Sequence, residues 1–335
     1  MKKDSTRRNF LKNSAYAVGG AFMLDSTPLR AATKSLSSRK KFKVIDFRCR
    51  PPLKSFGGLF KMRVEMFQNR PNTLANPATF GKVPRSVESF MQGDEDAMKL
   101  WWDEIDECAI ESVVVAGRYI QDQPAMSMDT DELLKYEKRY SGRFYAIAPI
   151  AIDVSIEQTM QKLQNDLNKG VRGVTIEPGY RTKGGATTID NKDFFPIYEL
   201  LQEKGIFLQV QTGAFANPFS FKEPNEMWRF DTVLREFPKL RIVLGHGGYP
   251  SITEALALAL KWPSVTISSD VYTFWPGGQL YQQNIEMLQD QFVYGSAYPF
   301  GNFKETLEQT LELSLSEKVF EKYLYCNARK LLNLE

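Results

Sequence analysis

The stretch VIDFRCRPP, Val44–Pro52, sets the reading of the whole chain. As a strand with side chains alternating between faces, it puts Asp46, Arg48 and Arg50 on one side and Ile45, Phe47 and Cys49 on the other. One face is charged and the other apolar. Such a charged face is either open to water or walled into a site, and the rest of the chain has to decide which.

From Lys41 onward, short β-branched apolar runs alternate with helical patterns, the signature of a parallel sheet with crossover helices. The strands expected are Lys43–Arg48, Ser112–Gly117, Phe144–Ile150, Gly170–Glu177, Ile206–Gln211, Arg241–His246, Val265–Asp270 and Phe292–Ser296. Helical segments such as Asp94–Ala109, Ile156–Leu167 and Met227–Glu236 lie between them. This pattern predicts an α/β fold, a single (β/α)8 TIM barrel. A doubly wound open sheet would need a GxGxxG turn after the first strand, which is missing. The connection Pro51–Gly93 is long for a first βα loop and reads as a lid over the strand ends.

Composition narrows the chemistry. With 43% apolar and 25% charged residues over 335 positions, the chain is globular. Lys+Arg 43 against Asp+Glu 40 gives no basic surface for nucleic acid. Cys49, Cys108 and Cys326 form no CxxC pair, which argues against a disulfide framework. His246 is the one histidine, so a transition-metal site, which needs three or four convergent Cys, His or carboxylate ligands, is not expected. A carboxylate-only site for a hard cation stays open. No cofactor is expected.

The N-terminus carries TRRNFLKNSA, Thr6–Ala15, ahead of a weakly apolar run, and resembles a twin-arginine export signal. The apolar run is too short to span a bilayer, which takes about 20 residues. Residues 1–32 are therefore read as a signal peptide and 33–335 as the barrel, with a periplasmic or otherwise exported product and no stable membrane span. Whether the barrel forms a homo-oligomer is left open.

Side chains at the C-terminal strand ends of a barrel reach the active-site mouth. The alternation turns Glu177, Gln211 and Asp270 inward, and His246 ends the sixth strand. Arg48 and Arg50 would face them, with Asp46 one layer below as a partner for Arg48. Arg118 follows the second strand, either as a third anion contact or as an exposed loop residue. Paired guanidinium groups suit a carboxylate or a developing oxyanion. Their bland reading is an ion-pair network with Asp46, Glu177 and Asp270. An imidazole titrates near neutrality and suits general acid/base work. Cys49 reads as a packed thiol. Tyr272, Phe274 and Trp275, with Phe56, Phe60 and Phe67, would wall a pocket or simply pack the loops.

The first-strand ID, WWDEIDECAIESVVV, FFPIYELLQEKGIFLQVQTG, KLRIVLGHGGYP, FVYGSAYPF and NARKLLNL together resemble the amidohydrolase-2 group of the amidohydrolase superfamily, from about Val44 to Leu334. The resemblance implies a TIM barrel and metal-dependent hydrolase or decarboxylase chemistry. It also implies metal ligands at the positions of Arg48, Arg50, Gln211 and Ala297, all of which are altered, while His246 matches and works in proton transfer in the decarboxylase branch. The expectation is a metal-independent hydrolase of a small anionic activated ester or lactone. His246 serves as general base, Glu177 and Asp270 as second base or orienting groups, and Arg48, Arg50, Gln211 and Arg118 as substrate-binding groups. The alternatives are a metal-independent lyase or decarboxylase and a non-catalytic protein that binds an anion.

Overall fold

The computed structural model describes residues 41–58, 95–119, 127–152, 154–178, 187–214 and 225–334. The export signal and the lid beyond residue 58, with Phe60 and Phe67, lie outside the described residues. Seven strands run Ile45–Cys49 (β1), Ser112–Ala116 (β2), Phe144–Pro149 (β3), Gly173–Ile176 (β4), Phe207–Gln211 (β5), Ile242–Gly245 (β6) and Val265–Ser268 (β7). Each pairs in parallel with the next, so the chain winds one way round an α/β barrel. Helices such as Glu95–Glu107 (α1), Ile156–Asn168 (α2) and Met227–Glu236 (α3) cover the outside. In α1 the buried residues Ala97, Met98, Trp101, Trp102 and Ile105 recur at three- and four-residue spacing, which makes one apolar face. Ser155 and Gln158 form a capping box that starts α2. No helix among the described residues is long and apolar enough to cross a membrane.

The eighth strand expected at Phe292–Ser296 is not a regular strand, yet its backbone closes the ring. Val293 donates to Ile267 O at 3.1 Å, and Phe47 donates to Tyr294 O at 2.8 Å. Ala297 donates to Arg48 O at 2.8 Å. Regularity is lost because intervening amides are drawn elsewhere. Tyr294 N–H goes to Tyr323 O at 3.0 Å, and Ser296 N–H to Asp46 Oδ1 at 3.1 Å.

The simple alternation expected for β1 is also corrected. The register against β2 slips between Asp46 and Cys49, the mark of a β-bulge. Phe47 packs inside the barrel against Phe207, with ring centroids 5.6 Å apart, in a cluster with Val114, Val243 and Val293. Arg48, the next residue, reaches inside as well, toward β5, β6 and β7. Cys49 is buried and packs with the outer core, as its packed reading required, while also bordering the cavity. Room for Phe207 comes from Gly173, where a Cβ would lie 2.2 Å from its ring. Ala328, Leu331 and Leu332 of the last helix join this inner cluster.

Asp46 is not the ion-pair partner of Arg48. Its Oδ1 accepts the backbone N–H of Arg48 at 3.0 Å and that of Ser296 at 3.1 Å, while its buried Oδ2 has no hydrogen-bond partner among the described residues. Burial pushes this carboxyl up to about 7 against the pull of those bonds. A raised folded-state value means stability fully present below the unfolded carboxylate range and lost as pH rises through about 7. Asp46→Asn keeps the Oδ1 acceptor and removes the titration. Relative to that variant, the native chain should lose on the order of 4 kcal/mol between pH 4 and pH 8. Urea unfolding of both proteins across that range checks it, and parallel pH profiles would refute it.

Candidate active site

The C-terminal ends of six strands, β1 with its bulge included, bring these polar and charged residues together. Arg48, Arg50, Arg118, Glu177, Gln211 and His246 line one cavity at the C-terminal end of the barrel. Asp270 lies just beneath them, 1% exposed. The whole set named from sequence is thus assembled, and its internal pairing differs from the expected one.

Asp270 is the hub. Its Oδ2 stands 3.1 Å from Arg48 Nε and 2.8 Å from His246 Nδ1, and it accepts the backbone N–H of His246 at 3.3 Å. Its Oδ1 accepts from Ser268 Oγ. Arg48 Nη2 donates to Gln211 Oε1 and lies 3.2 Å from His246 Nε2. A guanidinium can only donate, so Nε2 is the acceptor and the ring proton sits on Nδ1, facing the carboxylate. Burial, then the charge of Arg48, pushes the imidazole down to about 4, outweighing the upward pull of Asp270. His246 is thus held on the neutral side of its titration, with the Nε2 lone pair directed at the Arg48 guanidinium at the cavity edge.

A second cluster surrounds Glu177. Arg50 Nη2 stands 3.2 Å from its Oε1, and Arg118 Nε 2.8 Å from its Oε2. Burial alone would push the Glu177 carboxyl up, but Arg118, then Arg50 and Arg48, hold it below the ordinary carboxylate range. The carboxylate that a second base would need is thus tied to two cations. Arg118 is not an exposed loop residue. It is 2% exposed, held by a backbone bridge to Met128 just past β2. Arg50 rests over the ring of buried Phe56, 5.4 Å from its centroid.

The apolar side of the cavity is Tyr272 and Trp275, as the sequence proposed, joined by Tyr298 and Phe300. Tyr272 stacks on Tyr249 with centroids 4.5 Å apart and meets His246 edge-on at 5.3 Å. Phe274 does not line it. Tyr298 and Phe300 were missed, although the SAYPF motif that ends the barrel contains both.

A family model described as Amidohydrolase matches residues 102–334. The chain belongs to this amidohydrolase family. Among solved structures, an uncharacterized TIM-barrel protein from Bordetella bronchiseptica is 27% identical, with a TM-score of 0.75, covering 87% of this chain and 99% of its own. A 2,6-dihydroxybenzoate decarboxylase from Rhizobium is 16% identical, TM-score 0.60, over 88% and 99%. A putative 2-pyrone-4,6-dicarboxylic acid hydrolase from Pseudomonas putida is 14% identical, TM-score 0.55, over 88% and 98%. These last two share the fold. No curated protein matches the sequence. Membership of this amidohydrolase family supports an enzyme rather than a non-catalytic binding protein.

The residues at the family's usual ligand positions do not fit a divalent cation. Arg48 and Arg50 bring positive charge there, Ala297 has no donor atom, and the Gln211 oxygen already accepts from Arg48. No group of three or more His, Cys, Asp or Glu side chains is placed to hold a metal among the described residues. Arg48 and Asp270 are instead a buried ion pair, 6% and 0% exposed at the side chain. Removing one partner of such a pair costs about 3–5 kcal/mol. Arg48→Met should lower unfolding free energy by that amount in urea, and a loss below about 1 kcal/mol would show that the pair does not hold the site together.

Proposed function

We propose that this amidohydrolase-family barrel hydrolyses a small anionic ester or lactone with an already activated carbonyl, without a metal. The observation that carries the reading is the placement of His246 at the cavity, Nδ1 2.8 Å from Asp270 Oδ2 and Nε2 3.2 Å from Arg48 Nη2. A water molecule would give its proton to Nε2 as its oxygen bonds to the carbonyl carbon. The carbonyl oxygen, gaining negative charge, would take the N–H of Arg48 that rests on Nε2 in the free site. The imidazolium would then return the proton to the departing alkoxide as the C–O bond breaks, leaving a carboxylic acid and an alcohol. Arg50 and Arg118, bracketing Glu177 at the cavity wall, support an anionic group on the substrate, and Tyr272, Trp275 and Phe300 an apolar body.

The lyase reading, favoured by the decarboxylase among the structural neighbours, needs His246 to hand a proton to carbon. With Nε2 accepting from Arg48, the ring nitrogen at the cavity edge carries no proton to hand to carbon, which favours hydrolysis. The test uses chelator-treated, metal-analysed protein and a panel of carboxylated aryl esters and lactones. Turnover should be level above about pH 5 and fall only as pH drops through about 4. His246→Asn should lower it about 10²–10⁴-fold. Activity that vanishes on chelation and returns with a divalent cation would overturn the reading, as would a fully active His246→Asn.

Export through the twin-arginine pathway is part of the same proposal, and it rests on Arg7 and Arg8. Replacing both with lysine should leave the protein in the cytoplasm by cell fractionation. Unchanged export would sink it.

A further inference from the structure

The side chain of Arg48 passes two glycines at close range, Gly295 at its Cβ and Gly245 at its guanidinium. A Cβ on Gly245 would lie 2.8 Å from Arg48 Nη1 and 3.1 Å from Cζ. A Cβ on Gly295 would lie 2.9 Å from Arg48 Cβ and 2.5 Å from Asp270 Oδ1. Glycine is often required by a left-handed backbone, but Gly245 has φ −67 and ψ 127, an extended conformation open to any residue. Its requirement is therefore one of space, and the atoms filling that space are mainly those of the guanidinium. The other neighbour is Val210 O, at 3.2 Å from the same hypothetical Cβ.

The remaining sides of the guanidinium are also matched. Nε faces Asp270 Oδ2, and Nη2 faces both Gln211 Oε1 and His246 Nε2. These are a carboxylate, an amide oxygen and an imidazole nitrogen, all acceptors for its N–H groups. What selects a planar, branched cation is the bare backbone of β6, along which the third nitrogen lies.

We propose that Gln211, His246, Asp270 and Gly245 form a socket shaped for a guanidinium, in which Arg48 is the resident cation and Gly245 is the positioning residue that admits it. The chemical purpose of the socket rests on the hydrolase reading given above, whereas its test needs no substrate, so either can fail alone.

The test is a double-mutant cycle between Gly245→Ala and Arg48→Lys, read by urea unfolding. Lysine has no branched head, so the added methyl meets nothing where Nη1 used to be. Gly245→Ala should shift the unfolding midpoint down in the native background and leave it nearly unchanged beside Arg48→Lys. If Gly245→Ala does not fold alone but does fold with Arg48→Lys, the socket is supported in the same way. Equal losses in both backgrounds, or failure to fold in both, would assign the glycine to the Val210 carbonyl and overturn the proposal. A second reading comes from the single histidine of the chain, whose imidazole gives one pair of nitrogen resonances. Gly245→Ala should shift the Nε2 resonance by displacing its donor. An unmoved Nε2 signal in a folded Gly245→Ala protein would also count against the socket.

Discussion

The structure depends on one carboxylate oxygen that accepts two backbone N–H groups. Asp46 Oδ1 takes the amide of Arg48 from its own strand and the amide of Ser296 from the last segment of the barrel. The first bond pins the bulge that turns both Phe47 and Arg48 inward, so that one strand supplies an apolar inner layer and a charged rim from adjacent residues. The second ties the irregular eighth segment to β1 and places Ala297 N–H on Arg48 O. Barrel closure and the aim of Arg48 are therefore a single event. Fully buried, the carboxyl of Asp46 holds this position more cheaply protonated than charged, which is why burial dominates its ionisation.

Strain is concentrated beside it, at the C-terminal rim of the barrel. His246, Asp270 and Ala297, at the ends of successive segments, all have positive φ, at 67, 55 and 53. A non-glycine residue held there costs of order 1–3 kcal/mol and persists only where its surroundings over-determine it. At His246 the surroundings can be named. Its backbone N–H and its ring nitrogen both meet Asp270 Oδ2, and Arg48 Nη2 meets the other ring nitrogen. Asp270 is itself fixed by Ser268 and Arg48. Asp270 holds both Arg48 and His246, so turning its carboxylate away would leave the Arg48 charge buried without its partner.

What could be seen in the sequence follows from what period-two and helical patterns encode. Strands with a clean alternation, such as β5 with Leu208 and Val210 outward and Gln209 and Gln211 inward, are placed correctly because two chemically distinct faces fix their register. β1 could not be read that way. A bulge adds a residue without changing composition, so Phe47 appeared to belong outside when it packs on Phe207. The eighth strand was legible as an apolar run, but the diversion of its amides to Tyr323 and Asp46 depends on groups distant in the chain. Arg118 illustrates the same limit. Its burial comes from a backbone bridge to Met128 and from Glu177 across the barrel, neither visible in its local sequence. The identities of the site residues were legible; their partners were not.

The depressed basicity of His246 constrains which carbonyl the proposed reaction can use. A base near 4 is unprotonated throughout the neutral range, so it is always available, but it gives little driving force for removing a proton from water. The addition step is therefore the difficult one, and the electrophile has to supply what the base does not. Arg48 contributes by meeting the developing oxyanion from a buried, preorganised position, where a charge-assisted bond is stronger than in water. In the second half the same ionisation works in favour of the reaction. An imidazolium with so low a value releases its proton readily to an alkoxide, so collapse of the tetrahedral intermediate needs no additional acid. A site with a weak base, a strong conjugate acid and a fixed guanidinium is matched to a substrate whose carbonyl is already electrophilic and whose leaving oxygen is basic. A strained lactone with an alkyl leaving oxygen meets both conditions, and an amide, with its resonance-stabilised carbonyl, fails the first.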